Sequence, residues 1–564
     1  MFKSHRVGSI LTTLAVVGLL LSAAPWRKAK AQTVLYTVTE LSLGGESNAY
    51  FHPVSGQVLG SSVTSAGGRQ AFLYDGTSVQ ALTLGGLDSS VISANASGDI
   101  IGQSLTTNGE EHAFLHRNGQ TVALTLGGTY SQALHITASG LVIGEAETAT
   151  GESYAFVYDQ AGMHTLSLGG AWSDVRGYNA AGQVIGRALT SSGDEHSYIY
   201  GGGTTTDLGT LGGTFTHAEY VNSSGQVAGS SETLSGETHA FLYSGGTMND
   251  LGTLGGDFSY ASGINANGHV IGQSDTANAP TRHAFIYKNG TMTALSLGGD
   301  WSNVRFLTDS GLVVGDAKTA ANDPLTGMPM SRAFLYDGTS VQELSLGAGD
   351  SDAYGIGPAG AVIGWSHTTS GAAHAFLYSN GTMNDLGTLG GPDSAAYNFT
   401  PSGSVTGSSQ VVEMTQYPGA YHSHDFFYDG SQLLDLSLNS ESDSYILGVN
   451  SSDQIMGYEF SPAGDMRAFF YDGTSIQALT LGGPWNAPGD MNSAGQVVGW
   501  SETTSNVWHA FLHEGGVTQD LNDLIDANSG WELVYGEWIN DDGLILGTGA
   551  YLGGPYRAVL ISPI

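Results

Sequence analysis

The sequence Leu-Gly-Gly, or a close variant, recurs through this chain at nearly constant spacing. Its leucine stands at Leu43, Leu84, Leu126, Leu168, Leu211, Leu254, Leu297, Leu346, Leu389, Leu438, Leu481 and, in degenerate form, Leu524. The steps are 41 to 43 residues, apart from two of 49 that end at Leu346 and Leu438. Twelve copies of one unit restrict the fold more than composition does. Each copy is one small structural element that buries its apolar face only by stacking against the next.

Within a unit the pattern is L-G-G-x-x-S-x-A-x-x-I-N-x-x-G-x-V-x-G-x-S, a variable loop, then H-A-F-L-Y-x-x-G-x-x-x-x-L. Apolar residues alternate or run for a few positions between Gly, Asn, Ser and Asp, which is the periodicity of strands. In the unit that follows Leu254 the four expected strands are 260–265, 269–274, 282–287 and 291–297. The first Gly of the motif after I-N, Gly268 here, suits a tight turn that needs positive φ. The Gly inside the second strand, Gly272 here, marks a bulge or the close approach of another backbone, and its repetition in every unit points to a packing demand between neighbouring units. The aromatic of H-A-F is expected to pack between units as well.

Four strands in about 43 residues make one blade of a β-propeller. The fold class is therefore all-β. The chain enters at 36–45 with a fourth-strand pattern and leaves at 556–564 with a third-strand pattern. Pairing the two closes a ring and removes two open edges. Because propellers typically have four to eight blades, two rings of about six, divided near Leu297, are expected. The alternatives are one very wide ring or a β-solenoid.

With H-A-F intact at His112–Phe114, His239–Phe241, His283–Phe285, His374–Phe376 and His509–Phe511, and L-G-G-x-x-S and I-N-x-x-G-x-V-x-G in register, the chain resembles the HAF family of extracellular repeat proteins. The resemblance covers nearly everything after residue 31. It implies a bacterial exported protein and assigns no chemistry. Many such proteins carry a C-terminal Pro-Glu-Pro sorting tail; anchoring by that route is not expected here, since residues 558–564 read as a strand.

Residues 1–31 read as a secretory signal peptide. Lys3 and Arg6 precede an apolar run from Ile10 to Ala24, and Ala29-Lys30-Ala31 forms an A-x-A site. The basic stretch 27–30 leaves an uncleaved anchor as the alternative. The expected destination is extracellular or cell-surface, with the periplasm possible in a two-membrane cell, and no membrane span remains after cleavage. Removal of residues 1–31 leaves 11 basic residues against 51 acidic ones. Such a surface repels phosphate backbones, so nucleic acid is a poor partner. With no cysteine, disulfides, thiolate metal sites and a Cys nucleophile are excluded.

The His of H-A-F looks catalytic until its column is read through. It runs Gln70, His112, Tyr154, His196, His239, His283, Arg332, His374, His424, Arg467, His509, Arg557. A metal ligand or general base does not become Arg. What these side chains share is a hydrogen-bond donor, so the expected role is structural, toward a backbone carbonyl of the adjoining loop. No catalytic, metal or cofactor residue is assigned.

Function is sought where the units differ. The two longer steps place insertions at 316–332 and 408–424. On the same face stand the aromatics after L-G-G, with two arginines. The expected ligand-binding residues are Tyr130, Trp172, Arg176, Phe215, Phe258, Trp301, Arg305 and Trp485, against the plainer reading that the rings fill gaps between blades. The expected function is an exported non-catalytic binding or scaffold protein for a glycan, peptide or extracellular protein. The alternative is a propeller hydrolase or lyase acting on polysaccharide, whose acids would be sought among Asp174, His217, Asp350, Asp352, Glu441 and Asp443.

Overall fold

The computed structural model describes residues 35–564 except for 52–56, 279–280, 323–326, 348, 413–420 and 440. The signal peptide assigned to 1–31 lies outside the described residues, as do parts of both insertions. Nearly all regular structure is antiparallel strand in four-stranded units, each a simple meander from first to fourth strand. Numbered along the chain, blade 1 spans 44–82, blade 2 85–124, blade 3 127–166, blade 4 169–207, blade 5 212–250 and blade 6 255–295. Blade 7 spans 298–344, blade 8 351–387, blade 9 394–435, blade 10 443–478 and blade 11 482–520. Blade 12 takes its first three strands from 531–563 and its fourth from the other end of the chain, at 36–41.

That closure is antiparallel and in register, from Tyr36 opposite Pro563 to Leu41 opposite Ala558. It is the pairing expected from the two incomplete end patterns. First strands of neighbouring blades touch one another, as 212–221 does 169–178 and 255–264, which places them nearest the axis.

The core is divided by blade interface. One apolar cluster combines Ile101, Leu115 and Leu124 of blade 2 with Ala133, Val142 and Phe156 of blade 3. An equivalent cluster joins every consecutive pair, and one joins blade 12 to blade 1 through Leu546, Leu560, Leu41 and Phe72. Each buried Phe contributes about 2–3 kcal/mol by the area it removes from water. The expectation of two rings is corrected here. At the supposed boundary, Ile271, Ile286 and Leu295 of blade 6 pack with Val313, Phe334 and Tyr336 of blade 7, and Leu297 itself lies against them. The interfaces follow chain order without a break and return to the start, which is one wide ring. Twelve similar interfaces tolerate the smaller turn per blade because each apolar cluster involves two blades and no more.

The recurrent glycine of the second strand sits at a bulge, one of the two expected readings, and its crowding comes from within its own blade rather than from a neighbouring unit. A Cβ on Gly102 would collide with the Ser90 carbonyl oxygen and the Phe114 ring, both in its own blade. The first strand bulges one residue past Val91, opposite Gly102, and the glycine admits both the bulged backbone and the aromatic ring beneath it. The turn glycines behave as read, with φ of 83° at Gly98 and 78° at Gly268; Asp453 holds the same place at 58°.

The serine of L-G-G-x-x-S ties blades together. Ser302 Oγ of blade 7 accepts the Ala284 N–H of blade 6 at 2.8 Å and donates to the Leu295 carbonyl at 2.6 Å. The asparagine of I-N-x-x-G does the same at the opposite rim. Asn222 Oδ1 accepts from Ser224 N and Gln226 N within its own turn, while its Nδ2 donates to the Asn265 carbonyl of the next blade at 2.9 Å. Polar motif residues thus satisfy backbone groups that an irregular turn would leave unpaired.

Candidate functional site

The L-G-G turns lie beside the loops joining second to third strands. Leu84 bridges to Thr106 at the end of a second strand, and Tyr130 of blade 3 pairs in parallel with Glu111, which opens the third strand of blade 2. Trp172, Phe215, Phe258 and Trp301 make the same bridge to Ser153, Glu195, Thr238 and Arg282. The expected residues therefore do share the loop face. They do not converge, because each stands at its own blade interface. Tyr130 and Trp485 are exposed, while Trp172, Phe215, Phe258 and Trp301 are half-buried.

The same column holds Asp in other blades, with a different local solution. Asp88, Asp350, Asp393 and Asp443 each accept the third-strand N–H of the preceding blade at 2.9 Å. Two of the acids considered for catalysis, Asp350 and Asp443, are thus backbone acceptors repeated around the ring.

The two expected arginines sit at the bulge of the first strand and are committed to acids. Arg176 meets Asp174 at 2.8 Å. Arg187, opposite Asp174 on the second strand, also meets Asp174 at 2.9 Å and Glu195 at 2.9 Å, and lies 5.7 Å over the Trp172 ring. His217 of blade 5 reaches Glu195 at 3.1 Å. Burial lifts the Asp174 carboxyl to about 6 against the pull of Arg176, so it is charged at neutral pH. Arg305 joins blade 7 to blade 8, at 2.9 Å from Asp316 and 2.8 Å from Asp352.

The H-A-F donor is structural, and in part differently from the expectation. Gln70, Tyr154 and His283 donate to the carbonyls of Gly86, Gly170 and Gly299, in the adjoining turn as expected. In five blades the His instead meets an Asp on the fourth strand: His196–Asp207, His239–Asp250, His374–Asp385, His424–Asp435 and His509–Asp520. Where the donor is Arg332 or Arg557, the partner is Glu343 or Glu40.

A group that the sequence reading passed over stands in another variable column, the residue between Gly and Ser in G-x-S. It is Gln103, Glu145, Arg187, Ser230, Gln273 and Asp316 in blades 2 to 7, then Trp365, Ser408, Tyr458 and Trp500 in blades 8 to 11. Around it blades 8 to 12 gather aromatic pairs. Tyr354 and Tyr397 stack at 5.5 Å, Tyr445 and Tyr458 at 5.3 Å, and Trp500 and Trp508 at 4.9 Å, with Tyr535 edge-on to both tryptophans. Within this column the charged and amide side chains fall in blades 2 to 7 and the aromatic ones in blades 8 to 11. The signal was present in the sequence as a column, visible only when the units are aligned and their differences read.

Two of the depressions formed by the described residues open on the loop face. The larger, about 600 Å³, lies between blades 6 and 7 beside the first insertion and is lined by polar and small residues that include Asn278, His283, Asp300 and Asn322. The smaller, about 280 Å³, lies between blades 11 and 12 and is lined by Asn506, Trp508, Glu532, Tyr535 and Tyr556 among others. Among the described residues no three His, Asp or Glu side chains gather as a metal-binding group, and no helix is long and apolar enough to cross a membrane.

No family model and no curated protein matches this sequence. Solved structures similar to it include the β-propeller domain of the Trilobed protease from Pyrococcus furiosus, at 10% identity over 55% of this chain and 98% of that one, TM-score 0.25. Dipeptidyl peptidase 4 from Porphyromonas gingivalis is similar at 10% identity over 74% of this chain and 65% of that one, TM-score 0.33. TolB from Acinetobacter baumannii is similar at 14% identity over 52% of this chain and 80% of that one, TM-score 0.20. The propeller architecture of this chain stands on its own strand order and closure.

Proposed function

We propose that this protein is an exported, non-catalytic binding propeller that presents its loop face to a partner, with a glycan as the leading class. One observation carries the proposal. The side chains that depart from the repeat are concentrated on one face, many are part-exposed aromatics, and other units build the same backbone without them. A rigid frame with variable side chains on one face is the usual arrangement for recognition. The ion-pair groups of blades 4, 5, 7 and 8 favour this reading over the hydrolase or lyase alternative, because their carboxylates are engaged by guanidinium or imidazole groups rather than set across an open cleft.

The test is a screen of the secreted protein against a glycan array and against extracellular protein extracts, with and without calcium. Saturable binding without turnover of the bound polysaccharide supports the proposal. Release of reducing ends or unsaturated products, lost in Asp174→Asn, would replace it with the enzyme alternative.

A further inference from the structure

We infer that the cleft between blades 11 and 12 is a binding site for a neutral saccharide. The inference rests on the binding function proposed above and names its ligand class and place.

The cleft is built from exceptions to the repeat. The residue before the H-A-F donor is Arg69, Glu111, Ser153, Glu195, Thr238, Arg282, Ser331, Ala373, Ser423 and Met466 in blades 1 to 10. In blades 11 and 12 alone it is aromatic, Trp508 and Tyr556. The ten other units make the same third strand without an aromatic there, so the fold does not require these rings. Neither is buried: Trp508 is 42% exposed and Tyr556 54%.

The geometry leaves a flat apolar surface with a polar rim. Trp500 covers one face of Trp508, with planes 17° apart, and Tyr535 stands edge-on at 81°. The exposed part of Trp508 is therefore its other face and its edge. Asn506, Glu532, Tyr535 and Tyr556 supply amide, carboxylate and hydroxyl groups around the cleft. Glu532 has one ring nitrogen near it, His509 Nε2 at 3.8 Å, while the Nδ1 of the same ring meets Asp520 at 2.6 Å. A pyranose ring matches this surface, since one C–H face lies against an aromatic plane while its hydroxyls bond to groups at the side. Charge selects within the class. Glu532 in the cleft disfavours a uronate or sulfated sugar.

The experiment is a titration of the full protein by tryptophan fluorescence with cellohexaose, xylohexaose, maltohexaose and N-acetylchitohexaose, beside oligogalacturonate and hexalysine. The expected result is a saturable change with at least one neutral hexasaccharide and none with oligogalacturonate. The apparent Kd rises at least about tenfold in Trp508→Ala, as loss of a stacking surface does. Tyr556→Ala, at an exposed side chain, is expected to weaken binding too and keeps the test valid if Trp508→Ala fails to fold. Neutral-saccharide binding that survives both variants but is lost in Trp301→Ala would overturn this site and leave the binding function standing. Binding of hexalysine or oligogalacturonate alone would overturn the ligand class. No binding to any probe here, with a protein partner found in the extract screen, would overturn the inference alone. Failure of both screens would remove the binding function as well.

Discussion

The Nδ1 atom of His239 lies 2.9 Å from both carboxylate oxygens of Asp250, and Asp250 stands directly opposite Phe241 on the fourth strand. The pair looks like half of a catalytic apparatus and is a structural clasp. His stands with Asp in five blades and Arg with Glu in two, while in blade 10 Ala478 holds the acid's place and Arg467 turns to Glu459 and Asp465. Where the acid is missing, as at Ala81 and Ala294 opposite Phe72 and Phe285, Gln70 and His283 turn to a backbone carbonyl. Compensation of this kind is what a conserved interaction, rather than a conserved reaction, produces.

A double-mutant cycle on this pair is expected to give a small coupling. Asp250 is substantially exposed, so Asp250→Ala should cost well under 1 kcal/mol and the coupling with His239→Gln should stay below about 1 kcal/mol. The double substitution His239→Arg with Asp250→Glu, which copies blade 7, should recover the stability of the parent in urea unfolding.

The strand glycine and the turn glycine should answer very differently to one methyl group. Gly102→Ala forces a Cβ against the Ser90 carbonyl and the Phe114 ring and should cost about 3 kcal/mol or more, or prevent secretion of folded protein. Gly109→Ala, in the turn between the second and third strands of blade 2, meets open space and has only its positive φ of 83° to overcome; about 1 kcal/mol is expected. Melting temperatures of the two variants decide it.

Covalent closure should stabilise the ring. Thr37 and Ser562 are register partners across the seam between the two chain ends. With no native cysteine present, Thr37→Cys with Ser562→Cys has one bond to form. Closing so long a loop restricts the unfolded chain by up to about 6 kcal/mol in the chain-entropy picture, less any strain. The oxidised protein should melt above its reduced form, and a seam that does not pair would show no difference.

Blade 9 breaks the repeat with Asp425 where most units have Ala. Burial lifts its carboxyl to about 7, opposed by the Ile446 N–H it accepts at 2.7 Å and by His424. The folded protein then keeps this proton after the unfolded chain, near 3.8, has lost it. The resulting stability is full below about pH 4 and is lost as pH rises through about 7, roughly 2 to 4 kcal/mol in all. Asp425→Asn keeps an acceptor for Ile446 and removes the titration. Its melting temperature should equal or trail the parent at pH 4 and exceed it at pH 8.

The sequence by itself determined the unit, the strand order and the closure. Strand alternation, turn glycines and the incomplete patterns at the two ends are local features, and local features are readable without a partner. Arg in the His column also pointed, from sequence, to a structural donor. The tertiary structure decided the rest. A unit carries no information about how far it rotates on its neighbour, so the number of rings depended on the packed interface at Leu297. The glycine column pointed to a bulge or a close approach, and its repetition to an inter-blade demand; only the register showed that the bulge and the Phe114 ring within one blade crowd Gly102. The gathering of Trp500, Trp508, Tyr535 and Tyr556 likewise depended on the fold. These residues lie on four different strands of two blades, and only the ring brings their side chains to one cleft.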